Sequence, residues 1–325
     1  MPGRCLVVAL GGLCALAGSA LAQDWPARPL TLVVPYAAGG SVDGNGRTMA
    51  QRMGEILGQQ VVIENVGGAG GMTGSLRVSR APPDGYQFVI GNLGSHGVNQ
   101  TLYKRPLYNS LTDFAPVGLV NQGLFVLLVR KDFPANTLPE FTAYAKANEA
   151  KLQFGSGGAG STTHMVCVLL NMALGLNTTH IPYRGTGPAL QDLVGGRLDY
   201  QCEPLPTALP LIQGHAVKPI ALLARKRSDV VPQIPTAQEQ GLADFEVLSW
   251  NALFLPKGTP DPIVRRLNAA MSQALDTPWV RERLEKLGLE VPEPAQRTPE
   301  YLTSFLESEI KKWAAPIKAS GVSVE

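Results

Sequence analysis

The sequence predicts an α/β protein of two lobes, each built on a mainly parallel sheet. Two observations carry that reading. Short apolar strands alternate with amphipathic helices in two separate blocks, and two long apolar extended stretches join the blocks. In the first block LTLVVPY (30–36) is a strand, AAGGSVDG (37–44) its turn, and NGRTMAQRMGEIL (45–57) a helix with Met49, Met53, Ile56 and Leu57 on one face. QVVIEN (60–65) is the next strand and VGGAGGMTGS (66–75) the next turn. SLRVSRA (75–81) is a helix ended by PPDG (82–85), and YQFVIGN (86–92) is a further strand.

The second block repeats the rhythm. KLQFGS (151–156) is a strand and STTHMVCVLLNMAL (161–174) a helix with Met165, Leu169 and Met172 on one face. THIPY (179–183) is a strand, TGPALQDLVGG (186–196) a helix, and RLDYQCE (197–203) and VKPIALLA (217–224) are strands. The stretches APVGLVNQGLFVLLVR (115–130) and FEVLSWNALFLP (245–256) are the crossovers. Three helices follow at 261–275, 278–288 and 299–317 and are expected to pack back on the first lobe. Thr259-Pro260 and Thr298-Pro299 read as helix starts with threonine as cap. The expected lobes are 23–124 with 250–325, and 125–249.

Residues 1–22 read as a secretory signal peptide. Arg4 precedes an apolar run (5–18) too short to cross a bilayer, and Ala20-Leu21-Ala22 forms a cleavage site. The protein is therefore expected to be exported, with cleavage near Ala22. No later apolar run reaches membrane length. Two cysteines remain after cleavage, Cys167 and Cys202. They either pair in an oxidising compartment or stay as two buried thiols. The net charge of +2 over 325 residues, without a Lys/Arg-rich run, argues against nucleic acid as a partner.

Each lobe offers small-residue turns that lead from a strand end into a helix N-terminus. Pro35-Tyr36 is echoed by Pro182-Tyr183, and GGAG occurs at 67–70 and at 157–160. Such turns expose unpaired backbone N–H groups at the positive end of a helix dipole, which suits an anion such as a carboxylate. Ser41, Ser161, Thr162 and Thr163 add hydroxyls there. Gly155, Gly157 and Gly160 also fit G-x-G-x-x-G. A dinucleotide turn, however, asks for an acid about 20 positions on, and THIPYRGTG supplies none before Asp192. G-x-S-x-G, H-E-x-x-H and Walker A turns are missing, and His96, His164, His180 and His215 have no metal-ligand spacing, so no cofactor and no metal are expected. A Ser161–His164 catalytic pair competes with a plainer reading, in which His164 bonds the turn backbone. Asp43 and Glu203 either form a carboxylate pair across the cleft, or Asp43 ties its own loop while Glu203 lines the cleft or satisfies a neighbour. Asn92 and Ser95, in GNLGSHG (91–97), are cleft candidates. Trp250 sits at a crossover and is read as packing.

WPARPLTLVVPYAAGGSVDGNGR (25–47), ENVGGAGGMTGSLRVSRAPPDGY (64–86) and HIPYRGTGPALQDLVGGRLDY (180–200) together resemble the Bug family. These are TctC-like periplasmic solute receptors of tripartite tricarboxylate transporters. The resemblance covers the whole mature chain. It implies a type II periplasmic-binding-protein fold, two lobes closing on a ligand cleft, and binding without catalysis. It further implies that turn amides and hydroxyls grip a carboxylate. The first-lobe turn maps to Ala37, Ala38, Gly39, Gly40, Ser41 and Asp43, and the second to Gly157, Gly158, Gly160, Ser161 and Thr162. Implied partners are a small carboxylate-bearing solute and membrane permease subunits, with the receptor a monomer. Two departures stand out. Ala38 replaces a proline common among relatives. YQCE (200–203) ends in a carboxylate that disfavours a second carboxylate on the ligand unless Glu203 is protonated or bonded elsewhere. A receptor feeding a sensor kinase, and a secreted hydrolase using Ser161 and His164, are the alternatives left open.

Overall fold

A computed structural model of the protein describes residues 25–324, so the segment read as a signal peptide lies outside the described residues. The first block folds into β1 (Leu30–Val34), α1 (Ser41–Leu57), β2 (Val61–Asn65), α2 (Met72–Ser79) and β3 (Gln87–Asn92). β1 lies between β2 and β3 and runs parallel to both. Buried on both faces except at Thr31, it reads as a nearly continuous apolar run instead of an alternation. A π-helical turn (Leu93–Val98) leads into the short α3 (Asn99–Leu102), and the chain then enters the long strand β4 (Phe114–Arg130).

The second block comprises α4 (Leu138–Asn148), β5 (Gln153–Ser156), α5 (Thr162–Leu174), β6 (Thr179–Pro182), α6 (Thr186–Val194), β7 (Tyr200–Pro204), α7 (Leu205–Gln213) and β8 (Val217–Leu222). The chain returns through β9 (Leu248–Pro256) and ends with α8 (Asp261–Asp276), α9 (Pro278–Lys286), β10 (Leu289–Glu290) and α10 (Pro299–Ala319). The strand order is β2-β1-β3-β9-β4-β7-β5-β6, with β8 and β10 also pairing β4.

β4 makes this order two sheets in one. From Phe114 to Leu124 it pairs antiparallel with β9, and from Phe125 to Arg130 it pairs antiparallel with β7 and β8. The partner changes between Leu124 and Phe125, so a single strand serves both lobes. Each lobe keeps its own apolar centre. Leu32, Met49, Met53, Phe88, Leu253, Leu267 and Met271 pack in the first. Val126, Leu128, Leu193, Leu205, Ile212 and Leu222 pack in the second. A third cluster, with Leu93, Phe125, Leu127, Met165, Trp250 and Trp313, runs through both. Cys167 of α5 and Cys202 of β7 are joined, Cα atoms 5.4 Å apart, which pins that helix to its sheet.

Three helices escape the sequence pattern. α4 carries only a sparse apolar stripe at Leu138, Phe141 and Ala145. α3 is a single turn. α7 contains Pro206 and Pro210, which argue for a loop; Pro206 lies in the first turn, where no intrahelical N–H bond is required. One cap also needs correction. α8 begins after Pro260, and the Thr259 hydroxyl donates to the Pro256 carbonyl at 2.8 Å instead of capping the helix. Thr298 does cap α10, accepting from the Tyr301 amide at 3.1 Å.

Burial holds three imidazoles in their neutral form. His96 stacks on Phe254 with ring centroids 4.1 Å apart, and His164 stacks on His180 at 4.0 Å. Burial lowers His96 to about 3, His164 to about 4 and His180 to about 3. Below the ordinary histidine value near 6.5 the unfolded chain binds protons that the folded one refuses. The three histidines outweigh the single raised carboxyl of Glu203, so stability is expected to fall as the pH drops from that value toward 4. Urea midpoints at pH 7 and pH 5 check this, and an unchanged or higher midpoint at pH 5 would contradict it.

Candidate functional site

Where β1 ends, the chain turns through Pro35 to Gly40 and starts α1 with no side chain capping it. The first amides of that helix therefore lack an intrahelical partner where Gly40, Ser41 and Val42 line a cavity between the lobes. α6 begins in the same way at Thr186, after Gly185, and Thr186 lines the same cavity. α5 brings Ser161, Thr162 and Thr163. Here the hydroxyls organise the turn. Ser161 Oγ accepts from the His164 amide at 3.3 Å, and Thr163 Oγ1 accepts from the Gly157 amide at 2.9 Å. Three helix N-termini thus converge on one space.

The remaining wall comes from strand ends and the crossovers. Tyr36 donates to the Gly70 carbonyl and to Asn92 Oδ1, both at 3.0 Å. Asn92 Oδ1 also accepts from the Ser95 amide at 2.9 Å, so the Asn92 amide nitrogen is the end left for a ligand. Ser249, Trp250 and Asn251 of β9, with Phe125 and Pro204, complete the lining. Trp250 is fixed by donation from Nε1 to Glu309 at 3.0 Å. Asn251 Nδ2 donates to Asn121 Oδ1 at 2.8 Å. Counted out to its mouth in open solvent the space measures about 500 Å³, of which about 40 Å³ can be reached by the centre of a water-sized molecule. Among the described residues no charged side chain lines it.

Of the residues singled out in the sequence, Gly40, Ser41, Asn92, Gly157, Ser161, Thr162 and Thr163 stand on this lining together, joined by Trp250, which the sequence reads as packing. The others stand elsewhere, each for a visible reason. Ala38 and Gly39 are exposed on the turn. Asp43 turns inward: Oδ2 accepts from the Gly39 amide and Arg47, both at 3.0 Å, and Oδ1 from Asn65 at 2.9 Å. Burial alone would raise the Asp43 carboxyl, but Arg47, the Gly39 amide and Asn65 together hold it below its usual value. Ser95 is spent on Asn92. Glu203 is fully buried behind Thr186 and Pro204, accepting from Gln201 and Thr207. Burial pushes its carboxyl up to about 7.

Ala37, Gly158 and Gly160 belong to the seam where the lobes touch. The Ala37 amide donates to the Arg184 carbonyl at 3.0 Å, and the Gly94 amide to Thr162 Oγ1 at 2.7 Å. Tyr103 donates to the Ala159 carbonyl at 3.0 Å. The two GGAG turns meet here. A Cβ on Gly70 would lie 2.5 Å from the Ala159 carbonyl oxygen, and one on Gly160 would lie 2.6 Å from Asn99 Oδ1. As for the hydrolase alternative, the His164 ring accepts from the Gly160 amide at 3.2 Å, and Ser161 Oγ is occupied by the His164 amide. The helix-start reading of His164 describes what is seen.

Sequence reasoning missed Tyr36, Val42, Phe125, Thr186, Pro204, Ser249 and Asn251 as lining residues. The available signal was polarity out of place: Asn121, Ser249 and Asn251 interrupt crossover strands that are otherwise apolar.

Two α/β lobes bridged by shared strands, with an uncharged cavity at their junction, define a two-lobed solute-binding receptor. Residues 46–322 match the family described as the tripartite tricarboxylate transporter family receptor, TctC, and the chain belongs to that family. MatC from Rhodopseudomonas palustris with bound malate is 43% identical at a TM-score of 0.88, covering 90% of this chain and 100% of that one. The periplasmic binding protein BugD is 38% identical at a TM-score of 0.89, covering 93% and 100%. A UPF0065 protein from the TAR-I ttuE-ttuC' intergenic region of Agrobacterium vitis is 39% identical over 93% of this chain and 87% of its own length. The family consists of binding proteins, so this chain is a receptor and not an enzyme.

The seam yields a test. Gly70→Ala adds a methyl against the Ala159 carbonyl at a backbone φ of +60°, and is expected to hold the lobes apart. Ligand affinity should fall at least ~10-fold, with about 1 kcal/mol of stability lost to the left-handed backbone. Calorimetry and chemical unfolding measure the two effects; unchanged affinity would contradict the seam.

Proposed function

We propose that this protein captures a small carboxylate-bearing solute in the periplasm and delivers it to the permease subunits of a tripartite transporter. The observation that carries the reading is the convergence of three helix N-termini, those of α1, α5 and α6, on one cavity without a charged side chain. Backbone N–H groups and hydroxyls there favour an anion, and the low-polarity walls of Phe125, Trp250 and Pro204 strengthen each bond. The malate bound to MatC supports a carboxylate. The proposed lobes are 23–124 with 250–325, and 125–249, flexing about the point where β4 changes partners at Leu124 and Phe125. The receptor is proposed to act as a monomer released by cleavage near Ala22. Among the described residues no helix is long and apolar enough to cross a membrane, which is in keeping with export.

Thermal-shift and calorimetric titration of unfolded-and-refolded protein against malate, succinate, adipate and citrate tests this. A ligand at 100 times its Kd should add about 2.7 kcal/mol of stability. Thr162→Val removes a lining hydroxyl and the acceptor for Gly94, and should weaken binding ~10-fold, about 1.4 kcal/mol. A refolded protein that responds to none of these carboxylates would refute the proposal.

A further inference from the structure

Glu203 is the penultimate residue of β7, one layer behind the cavity, between two lining residues: Pro204, the next residue in the chain, and Thr186 of α6. Its side chain has no exposed surface. Gln201 Nε2 on its own strand and the Thr207 hydroxyl of α7 donate to it, and the Thr186 hydroxyl also favours its ionised form. Val126 of β4 stands opposite it in the ladder. Among the described residues none of the groups acting on this carboxyl is charged or titratable, so only dipoles balance it. The same network holds an unused atom: Gln201 Oε1 is buried with no hydrogen-bond partner among the described residues. Turning the Gln201 amide over would present that oxygen to a Glu203 hydroxyl. The Gln201 amide can therefore offer Glu203 a donor or an acceptor according to its charge state, with the other end of the amide left unpaired in each case.

We infer that Glu203 is a specificity-determining residue that couples ligand capture to a proton, passing from carboxylate to carboxylic acid when an anion enters the cavity. The inference rests on the carboxylate-receptor reading above. Two negative charges separated by one layer of low-dielectric protein disfavour each other, and the one that can be neutralised takes a proton from bulk water. Burial already places the carboxyl at about 7, so the exchange falls in an accessible range. The direction follows from linkage. An anion raises Glu203 further, so the bound state holds more protons than the free state. Affinity is then flat below about pH 6 and falls as the pH rises above 7, by at most ~10-fold per pH unit for one proton.

Calorimetry of the whole protein with malate at pH 8, in two buffers of different ionisation enthalpy, reads the proton directly, since malate is fully ionised there. Succinate, adipate and citrate serve in the same way. The wild type should show buffer-dependent heat amounting to a proton uptake of up to about one per ligand. Glu203→Gln should show buffer-independent heat and an affinity that no longer varies between pH 6.5 and 8.5. Binding with buffer-independent heat in the wild type overturns the inference and leaves the receptor reading intact, and so does an uptake that persists in Glu203→Gln. No binding by any of the four carboxylates overturns both. Buffer-independent heat in the wild type overturns the inference even if the variant does not fold.

Discussion

Across the cleft the amide of Ala37 donates to the carbonyl of Arg184, and beside it Gly70 lies against the backbone of Ala159 and Ser161. This backbone-to-backbone approach is what the site depends on. Side chains on both faces would keep the lobes several ångströms apart, and the N-termini of α1, α5 and α6 would then point at separate stretches of solvent. With glycine at 67 and 70, one lobe's turn reaches the carbonyls of the other, and Gly94 can bond Thr162. The cavity is the space left inside that seam. β4 supplies the matching constraint: because it pairs with both sheets, it ties the register of one lobe to that of the other.

The electrostatics follow from the same geometry. A cavity walled by helix starts needs no cation, since oriented amides in a low-dielectric enclosure are worth more than in water. The charges nearest the site are kept busy elsewhere. Asp43 is held by Arg47, Asn65 and the Gly39 amide, which fixes the first-lobe turn, and Glu309 anchors the Trp250 indole. Glu203 alone is left without a counter-charge, and it stands where the family resemblance leads one to expect an apolar strand end. A ligand with a single carboxylate, or with one directed toward α1 and α5 and away from Glu203, is the least opposed by it.

Much of this was legible in the sequence, because strand, small-residue turn and helix each carry their own periodicity. The crossovers showed as apolar runs at 115–130 and 245–256, close to β4 and β9. Ser41, Gly157, Ser161 and Thr162 were readable because a hydroxyl or glycine at a helix start has few other uses. The glycine-rich turns were harder. An anion cradle and a lobe contact both require bare backbone, so the sequence could not tell that Gly157 lines the cavity while Gly158 and Gly160 meet other backbone and side chains. Ser249 and Asn251 were hidden because β9 is buried on both faces and shows no alternation. The position of Glu203 behind Thr186 depends on how α6 packs over β7, a tertiary fact with no local signature.

The most direct measurement is an experimental structure of the protein with its carboxylate bound. The account predicts carboxylate oxygens within hydrogen-bond distance of the first amides of α1 and α5 and of the Ser161–Thr163 hydroxyls, with no Lys or Arg side chain in contact and the Ala37–Arg184 bond intact. A ligand held by a basic side chain, or seated outside the lobe junction, would contradict it.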